Sequence, residues 1–203
     1  MIKSAKFIKS CPDYKNTLDG IEELPQIAFV GRSNVGKSSL LNMLTNQKRL
    51  AVTSQTPGRT RLINFFHIVY HAKKEGVGDK PIYFVDLPGY GFAKASKSAK
   101  YGWGESITEY LTKSDNLKCV FVLLDIRREP SDLDLAMLHF LQSHGIPFVI
   151  IATKIDKMSR SQALTLRRKL ATSIGVADTD IIMTSAKDKQ GRTEIFTKIE
   201  ERI

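Results

Sequence analysis

The segment Gly31-Arg32-Ser33-Asn34-Val35-Gly36-Lys37-Ser38 restricts this chain more than any other stretch. It spells GxxxxGKS and stands between a short β-type run, residues 27–30 (IAFV), and a stretch of helical character from Lys37 to about Thr45. A Gly-rich turn in that position lets backbone N–H groups point inward around anionic oxygens, and the helix that follows adds the positive end of its dipole. The lysine of such a loop is placed to reach the β- and γ-phosphates of a nucleotide, and the serine hydroxyl to coordinate Mg²⁺. An opening of strand, loop and helix calls for a sheet with helices packed on it.

The rest of the chain supplies that sheet. Residues 62–70 (LINFFHIVY) are apolar on both faces of a strand, and 71–80 (HAKKEGVGDK) is a polar, Gly-containing loop before a strand at 82–85. So short a connection predicts that these two strands pair antiparallel. Further strands are expected at 118–125, 146–152 and 180–183. Helices are expected at 105–113, from the Ser131 cap to about 143, at 161–173 ending near Gly175, and at 193–203. Buried strands alternating with helices predict an α/β fold, doubly wound and three-layered, with six strands in a mostly parallel sheet and one antiparallel strand. One domain over 1–203 is expected, with 1–24 as an N-terminal extension packed on it or leading into it.

Composition narrows the class. The longest apolar runs, 120–124 and 148–152, suit buried strands and are far too short to span a membrane. The first twenty residues scatter Lys among polar residues, contain Asp13 and Asp19 and lack Arg, unlike secretory or organellar leaders, so the chain reads as soluble and cytoplasmic; a monomer is expected. Cys11 and Cys119 are too few for a cysteine metal site, and His67, His71, His139 and His144 show no ligand spacing. Thirty-one Lys and Arg against twenty-one Asp and Glu leave a charge of +10. That surplus favours a polyanionic partner and equally describes a well-solvated basic surface.

Three more motifs follow strands, where ligands bind in open α/β sheets. Asp86-Leu87-Pro88-Gly89 ends an apolar strand; its aspartate is placed to hold the hydration shell of Mg²⁺ and the Gly89 N–H to meet a γ-phosphate. Thr153-Lys154-Ile155-Asp156 follows the strand at 146–152. A carboxylate there can accept from N1–H and the 2-amino group of guanine, whereas adenine offers a bare acceptor at N1 and no amino group. Such a site rejects the wrong base by a factor on the order of 10⁴. The Lys154 stem can lie along the purine, and the Ala186 N–H of Ser185-Ala186-Lys187 is free to meet guanine O6.

GRSNVGKS, DLPG, TKID and SAK in this order resemble the translation-factor-related P-loop GTPases, the group of TrmE, Era and EngA. TPGRTRLINFF at 56–66, DLPGYGFAK at 86–94 and TKID with threonine in place of the commoner asparagine are most similar to the EngB family, also called YihA or YsxC. The resemblance implies a GTPase fold, hydrolysis of GTP to GDP and phosphate with Mg²⁺, and a switch role in assembling the large ribosomal subunit through its rRNA, with effects on cell division and septation. It implies nucleotide contacts from Gly31, Arg32, Ser33, Asn34, Val35, Gly36, Lys37, Ser38 and Ser39. A second set is Gly58, Arg59, Thr60, Arg61 and Leu62, and a third Asp86, Leu87, Pro88 and Gly89. The base would meet Thr153, Lys154, Ile155 and Asp156 with Thr184, Ser185, Ala186 and Lys187. Lys37, Thr60 and Gly89 are the implied catalytic set, and Ser38, Thr60 and, through water, Asp86 the implied Mg²⁺ set.

Departures from the wider pattern matter. Many GTPases place Gln after DxxG to orient water; Tyr90 stands here and predicts slow intrinsic turnover. Asn34 looks like the asparagine of potassium-stimulated relatives, a reading that stands beside plain loop hydrogen bonding. Thr153 is a shorter brace for the P-loop and base than asparagine, which predicts modest affinity. Lys48, Arg49, Arg59, Arg61, Lys94, Lys97 and Lys100 fall in or beside the two expected switch segments. Arg127, Arg128, Arg167, Arg168 and Lys169 either extend that patch or solvate their helices. Segment 89–104 is expected to order with a ligand, with Trp103 a reporter within it or a buried anchor. The alternative function is a nucleotide-dependent RNA- or ribosome-binding module whose hydrolysis is vestigial. A metabolic P-loop kinase ranks low, because it has no use for the guanine-reading pair.

Overall fold

The structure, a computed structural model, describes residues 2–17, 23–51, 62–71, 78–91 and 103–203. In chain order the elements are β1 (Ile2–Cys11), β2 (Gln26–Gly31), α1 (Lys37–Thr45), β3 (Ile63–His71), β4 (Asp79–Asp86) and α2 (Glu105–Lys113). Then come β5 (Leu117–Asp125), α3 (Asp132–Ser143), β6 (Phe148–Thr153), α4 (Arg160–Ile174), β7 (Ile181–Met183) and α5 (Arg192–Glu200). The strands form one sheet in the order β1-β3-β4-β2-β5-β6-β7.

That sheet has seven strands, one more than expected from the sequence. The added strand is β1, which pairs antiparallel with β3 from Ile2↔Tyr70 to Cys11↔Ile63, with bulges at Ile2/Ser4 and Phe7/Lys9. Its burial along the chain is irregular, with only Ala5 and Cys11 inside, so no clean period of two marked it. Its three lysines and two bulges also suit an outer edge, where they discourage pairing with other chains. β3 runs antiparallel to both its neighbours, β1 and β4, while β2, β4, β5, β6 and β7 pair in parallel.

Alternate side chains of the central strands divide between two cores. Ala28, Val30, Val120, Val122 and Leu124 face α2, α3 and α4. Ile27, Phe29, Cys119, Phe121 and Leu123 face α1 and α5. Phe29 meets Phe84 and Phe121 edge-on at centroid distances of 5.1 and 5.3 Å, the arrangement ring quadrupoles favour. Helix ends follow their caps. Ser131 and Asp134 make a reciprocal capping box on α3, Ser159 and Gln162 do so on α4, and Gly175 closes α4 at φ 71°. No helix among the described residues is long and apolar enough to cross a membrane.

β2 lies between β4 on one side and β5 on the other, so the chain leaves it toward opposite halves of the sheet. The crevice at its carboxyl end is where an open α/β sheet binds ligands.

Candidate functional site

Five strand ends converge on this edge, at Gly31, Asp86, Asp125, Thr153 and Met183. Gly31 is required by proximity: a Cβ there would lie 2.8 Å from the Leu123 carbonyl oxygen and 3.0 Å from Val35 Cγ1. Gly36, at φ 110°, turns the loop into α1 through a conformation L side chains rarely adopt. Between them the backbone arches, with the Val35 N–H donating to the Arg32 carbonyl at 3.1 Å.

The DLPG segment lies against this arch. Arg32 and Tyr90 form a parallel bridge; the Ser33 N–H donates to the Tyr90 carbonyl at 3.0 Å and the Tyr90 N–H to the Gly31 carbonyl at 3.3 Å. A Cβ on Gly89 would stand 3.2 Å from the Ser33 nitrogen, so a small residue is needed for the approach. Lys37 pairs with the Asp86 carboxylate and also donates to the Leu87 carbonyl at 2.6 Å. Both side chains of that pair are nearly buried, at 10% and 6% exposure, so deleting either would strand the other's charge. The second Asp86 oxygen accepts from Asn64 Nδ2 at 3.4 Å, and Asn64 in turn accepts from Ser10 of β1 at 2.6 Å. Pro88 and Ser38 are half-buried beside this pair, and Ser39 is exposed.

Tyr90 turns away from the phosphate loop. Its ring is buried and its hydroxyl donates to Asp134 Oδ1 at 2.8 Å, so the same aspartate caps α3 and anchors the DLPG segment. Burial, then the neighbouring Asp134 carboxylate, raises the Tyr90 hydroxyl well above its ordinary pKa. Trp103 is buried as well, 5.6 Å from Phe140 and 6.4 Å from Tyr90, so the anchor reading of that tryptophan holds.

The side expected to meet the base begins two strands from β2, at the end of β6. Thr153 Oγ1 donates to the Val35 carbonyl at 2.7 Å and lies 3.2 Å from the Leu124 carbonyl. The short hydroxyl reaches the P-loop because β6 approaches the loop closely. Lys154 takes a left-handed backbone, φ 66°, and its ammonium donates to the Asn34 carbonyl at 2.6 Å and to Asp125 Oδ2 at 3.0 Å. Ile155 is buried and its N–H donates to the Thr184 carbonyl at 3.3 Å, which ties the TKID loop to the one after β7. Asp156 lies 3.1 Å from the Lys157 ammonium. Burial raises its carboxyl pKa, but Lys157 and the Ser185 hydroxyl outweigh that and hold it below the ordinary aspartate value. Ser185 is itself fixed by Asp188, whose N–H donates to Oγ at 3.0 Å; Ala186 is half-buried and Lys187 exposed.

So the structure brings together Gly31 to Ser39, Asp86 to Gly89, Thr153 to Asp156 and Thr184 to Lys187 at one edge. Leu62 is exposed just before β3. Gly58, Arg59, Thr60 and Arg61 lie outside the described residues, as do Lys94, Lys97 and Lys100. Sequence reasoning missed Asp125, Asp134, Asn64 and Asn42. Asn42 holds the loop after α1 by bonding both the N–H and the carbonyl of Ala51, at 2.8 and 2.9 Å. Asp125 carried the clearest signal, a lone carboxylate ending a buried strand as Asp86 does. Burial acts to raise its pKa, yet the bonds from Arg127 and Lys154 hold it well below the ordinary aspartate value. Of the outlying basic residues, Lys48, Arg49, Arg128 and Lys169 are exposed, while Arg167 pairs with Asp178 at 2.9 Å.

The family model described as 50S ribosome-binding GTPase matches residues 26–154. A probable GTP-binding protein EngB from Fusobacterium nucleatum is 45% identical over 205 residues, covering 100% of this chain and 98% of the relative. One from Geotalea daltonii is 43% identical over 99% of this chain and 91% of its own length. Among solved structures, a probable GTP-binding protein engB superposes with TM-score 0.62 at 25% identity, over 87% of this chain and 97% of that one. Era from Aquifex aeolicus bound to GDP and aluminium fluoride superposes with TM-score 0.66 at 24% identity, over 88% of this chain and 56% of that one.

Proposed function

This chain belongs to the EngB family of GTP-binding P-loop GTPases, and from that premise we propose that it is a cytoplasmic, monomeric GTP-dependent switch. Its proposed task is assembly of the large ribosomal subunit, with linked effects on cell division and septation. The observation that carries the switch reading is the direct contact of the DLPG segment with the phosphate loop, through Ser33, Tyr90, Lys37 and Asp86. A γ-phosphate on that loop would compete for the same N–H and ammonium donors, and the DLPG segment would have to shift to share it. The family description, 50S ribosome-binding GTPase, supports the choice of partner.

In this reading Lys37 neutralises the β- and γ-oxygens, the Gly89 N–H meets the γ-phosphate, and Asp156 accepts from the guanine N1–H and amino group. The Ala186 N–H reads O6. Ser38 offers a hydroxyl as a direct ligand and Asp86 a carboxylate oxygen through water, the hard oxygen donors that suit Mg²⁺ when phosphates and waters complete its shell. No cluster of three His, Cys, Asp or Glu occurs among the described residues, which suits an ion held largely by nucleotide rather than by a protein cage. That ion, when bound, supplies charge neutralisation on the phosphates. Thr60 is proposed as its switch ligand.

Tyr90 keeps its hydroxyl on Asp134, so it orients no water, and slow intrinsic hydrolysis follows. Asn34, exposed at φ 64°, is the proposed K⁺ contact, and GTP turnover faster in K⁺ than in Na⁺ buffer is the expected result. The same Tyr90 placement favours the second reading, an RNA- or ribosome-binding module with vestigial hydrolysis. Turnover stimulated by ribosomal particles supports the first reading and its absence in every buffer the second. The central test is co-sedimentation with large ribosomal subunits in GTP and in GDP across salt. The GTP form should pellet in a salt-dependent way. Salt-insensitive, nucleotide-independent pelleting would remove the switch.

A further inference from the structure

Asp125 belongs to neither the phosphate nor the guanine motifs, yet it is wired to both. Its Oδ2 accepts from Lys154 Nζ at 3.0 Å and from Arg127 Nη2 at 2.7 Å. Its Oδ1 accepts from Arg127 Nε at 2.9 Å and from the Arg127 backbone N–H at 3.2 Å. The guanidinium fork sets the plane of the carboxylate, a two-point grip that lysine could not reproduce. Lys154 then spans from Asp125 to the Asn34 carbonyl, 2.6 Å from its ammonium, on a left-handed backbone that few residues other than glycine adopt.

A lysine stem has four rotatable bonds, and a free one loses that freedom when a ligand packs along it. Here the two ends are already tied, the backbone by its turn and the ammonium by Asp125 and Asn34. The stem therefore runs beside the phosphate loop, its Cε 3.7 Å from where a Cβ on Gly36 would stand, to the Asn34 carbonyl. We propose that Asp125 is a positioning residue for guanine nucleotide. Held by Arg127, it fixes the Lys154 ammonium against the P-loop so that the lysine stem stands as a preformed wall for the purine. The carboxylate also screens two cations, Lys154 and Arg127, that would otherwise repel across a few ångströms. The inference rests on the assignment of Lys154 to the base.

A double-mutant cycle on the full chain tests it, with GDP affinity measured by displacement of a fluorescent GDP analogue. Lys154→Ala should weaken GDP binding; if affinity is unchanged, the assignment of Lys154 to the base fails. Asp125→Ala should weaken GDP binding by about tenfold, and the same change made in the Lys154→Ala protein should cost almost nothing further. A loss of similar size in both backgrounds would mean that Asp125 acts through general stability, and would overturn the proposal. So would an unchanged affinity in Asp125→Ala alone. Asp125→Asn keeps the shape and one acceptor oxygen, so it should fold even where the alanine variant does not. It should show a smaller loss, about threefold, that again vanishes with Lys154→Ala.

Discussion

The phosphate side and the base side of this crevice are built differently. The phosphate side is a backbone construction. Its donors are N–H groups of one continuous loop, shaped by Gly31 and Gly36, with charge added by the Lys37–Asp86 pair. The side proposed for the base is made of side chains from separate strand ends: Thr153 on Val35, Lys154 between Asn34 and Asp125, and Ser185 with Asp188. A backbone site tolerates change around it as long as the turn survives. A side-chain site fails when any strand end moves, so specificity for guanine is expected to be more fragile than affinity for phosphate.

That contrast can be broken most forcefully at Asp156. Asp156→Asn keeps one acceptor for N1–H and loses one charged hydrogen bond of about 1.5–3 kcal/mol, so it should weaken GTP by ~10–10²-fold and favour xanthosine triphosphate, whose 2-oxygen accepts from an amide. Retained GTP preference in a competition titration would place guanine recognition elsewhere. Next in size is Thr153→Val, which deletes the hydroxyl under Val35 while keeping the β-branched shape. It should lower stability by about 1–3 kcal/mol, read as a lower midpoint in thermal unfolding, and weaken nucleotide as well. A fall in stability with full affinity would make the brace part of the fold and not of the base site. Smallest in its effect on nucleotide is Tyr90→Phe. The Ser131 N–H and hydroxyl stay on Asp134 Oδ2 but Oδ1 loses its donor, so stability should fall by about 1.5–3 kcal/mol while single-turnover GTP hydrolysis is unchanged. A tenfold drop in that rate would bring Tyr90 into the chemistry after all.

Most elements could be read directly from the chain because local chemistry announces them. Ser131 marked the start of α3, Gly175 the end of α4, and the short 71–80 connection the antiparallel pair β3–β4. β1 escaped because an edge strand with bulges and lysines lacks the alternation that marks half-buried strands. That the Thr153 hydroxyl reaches the P-loop was hidden for a related reason, since side-chain length says nothing about how near β6 runs to Val35. Tyr90 was legible as an absence of glutamine but not as a tether to α3, because its partner Asp134 is 44 residues away.

The order of residues by itself determined the phosphate loop, since a GxxxxGKS turn between strand and helix carries its geometry in the backbone of eight adjacent residues. It also determined which base-reading side chains were available. Only the packed sheet decided that Asp125, Arg127, Lys154 and Asn34 form one chain of bonds, and that Ser10 of β1 reaches Asn64 beside Asp86. The reason is one of range. A local turn is specified by the conformations its own residues allow, whereas a bond between strand ends exists only once the register of the whole sheet has been set by the burial of its two faces.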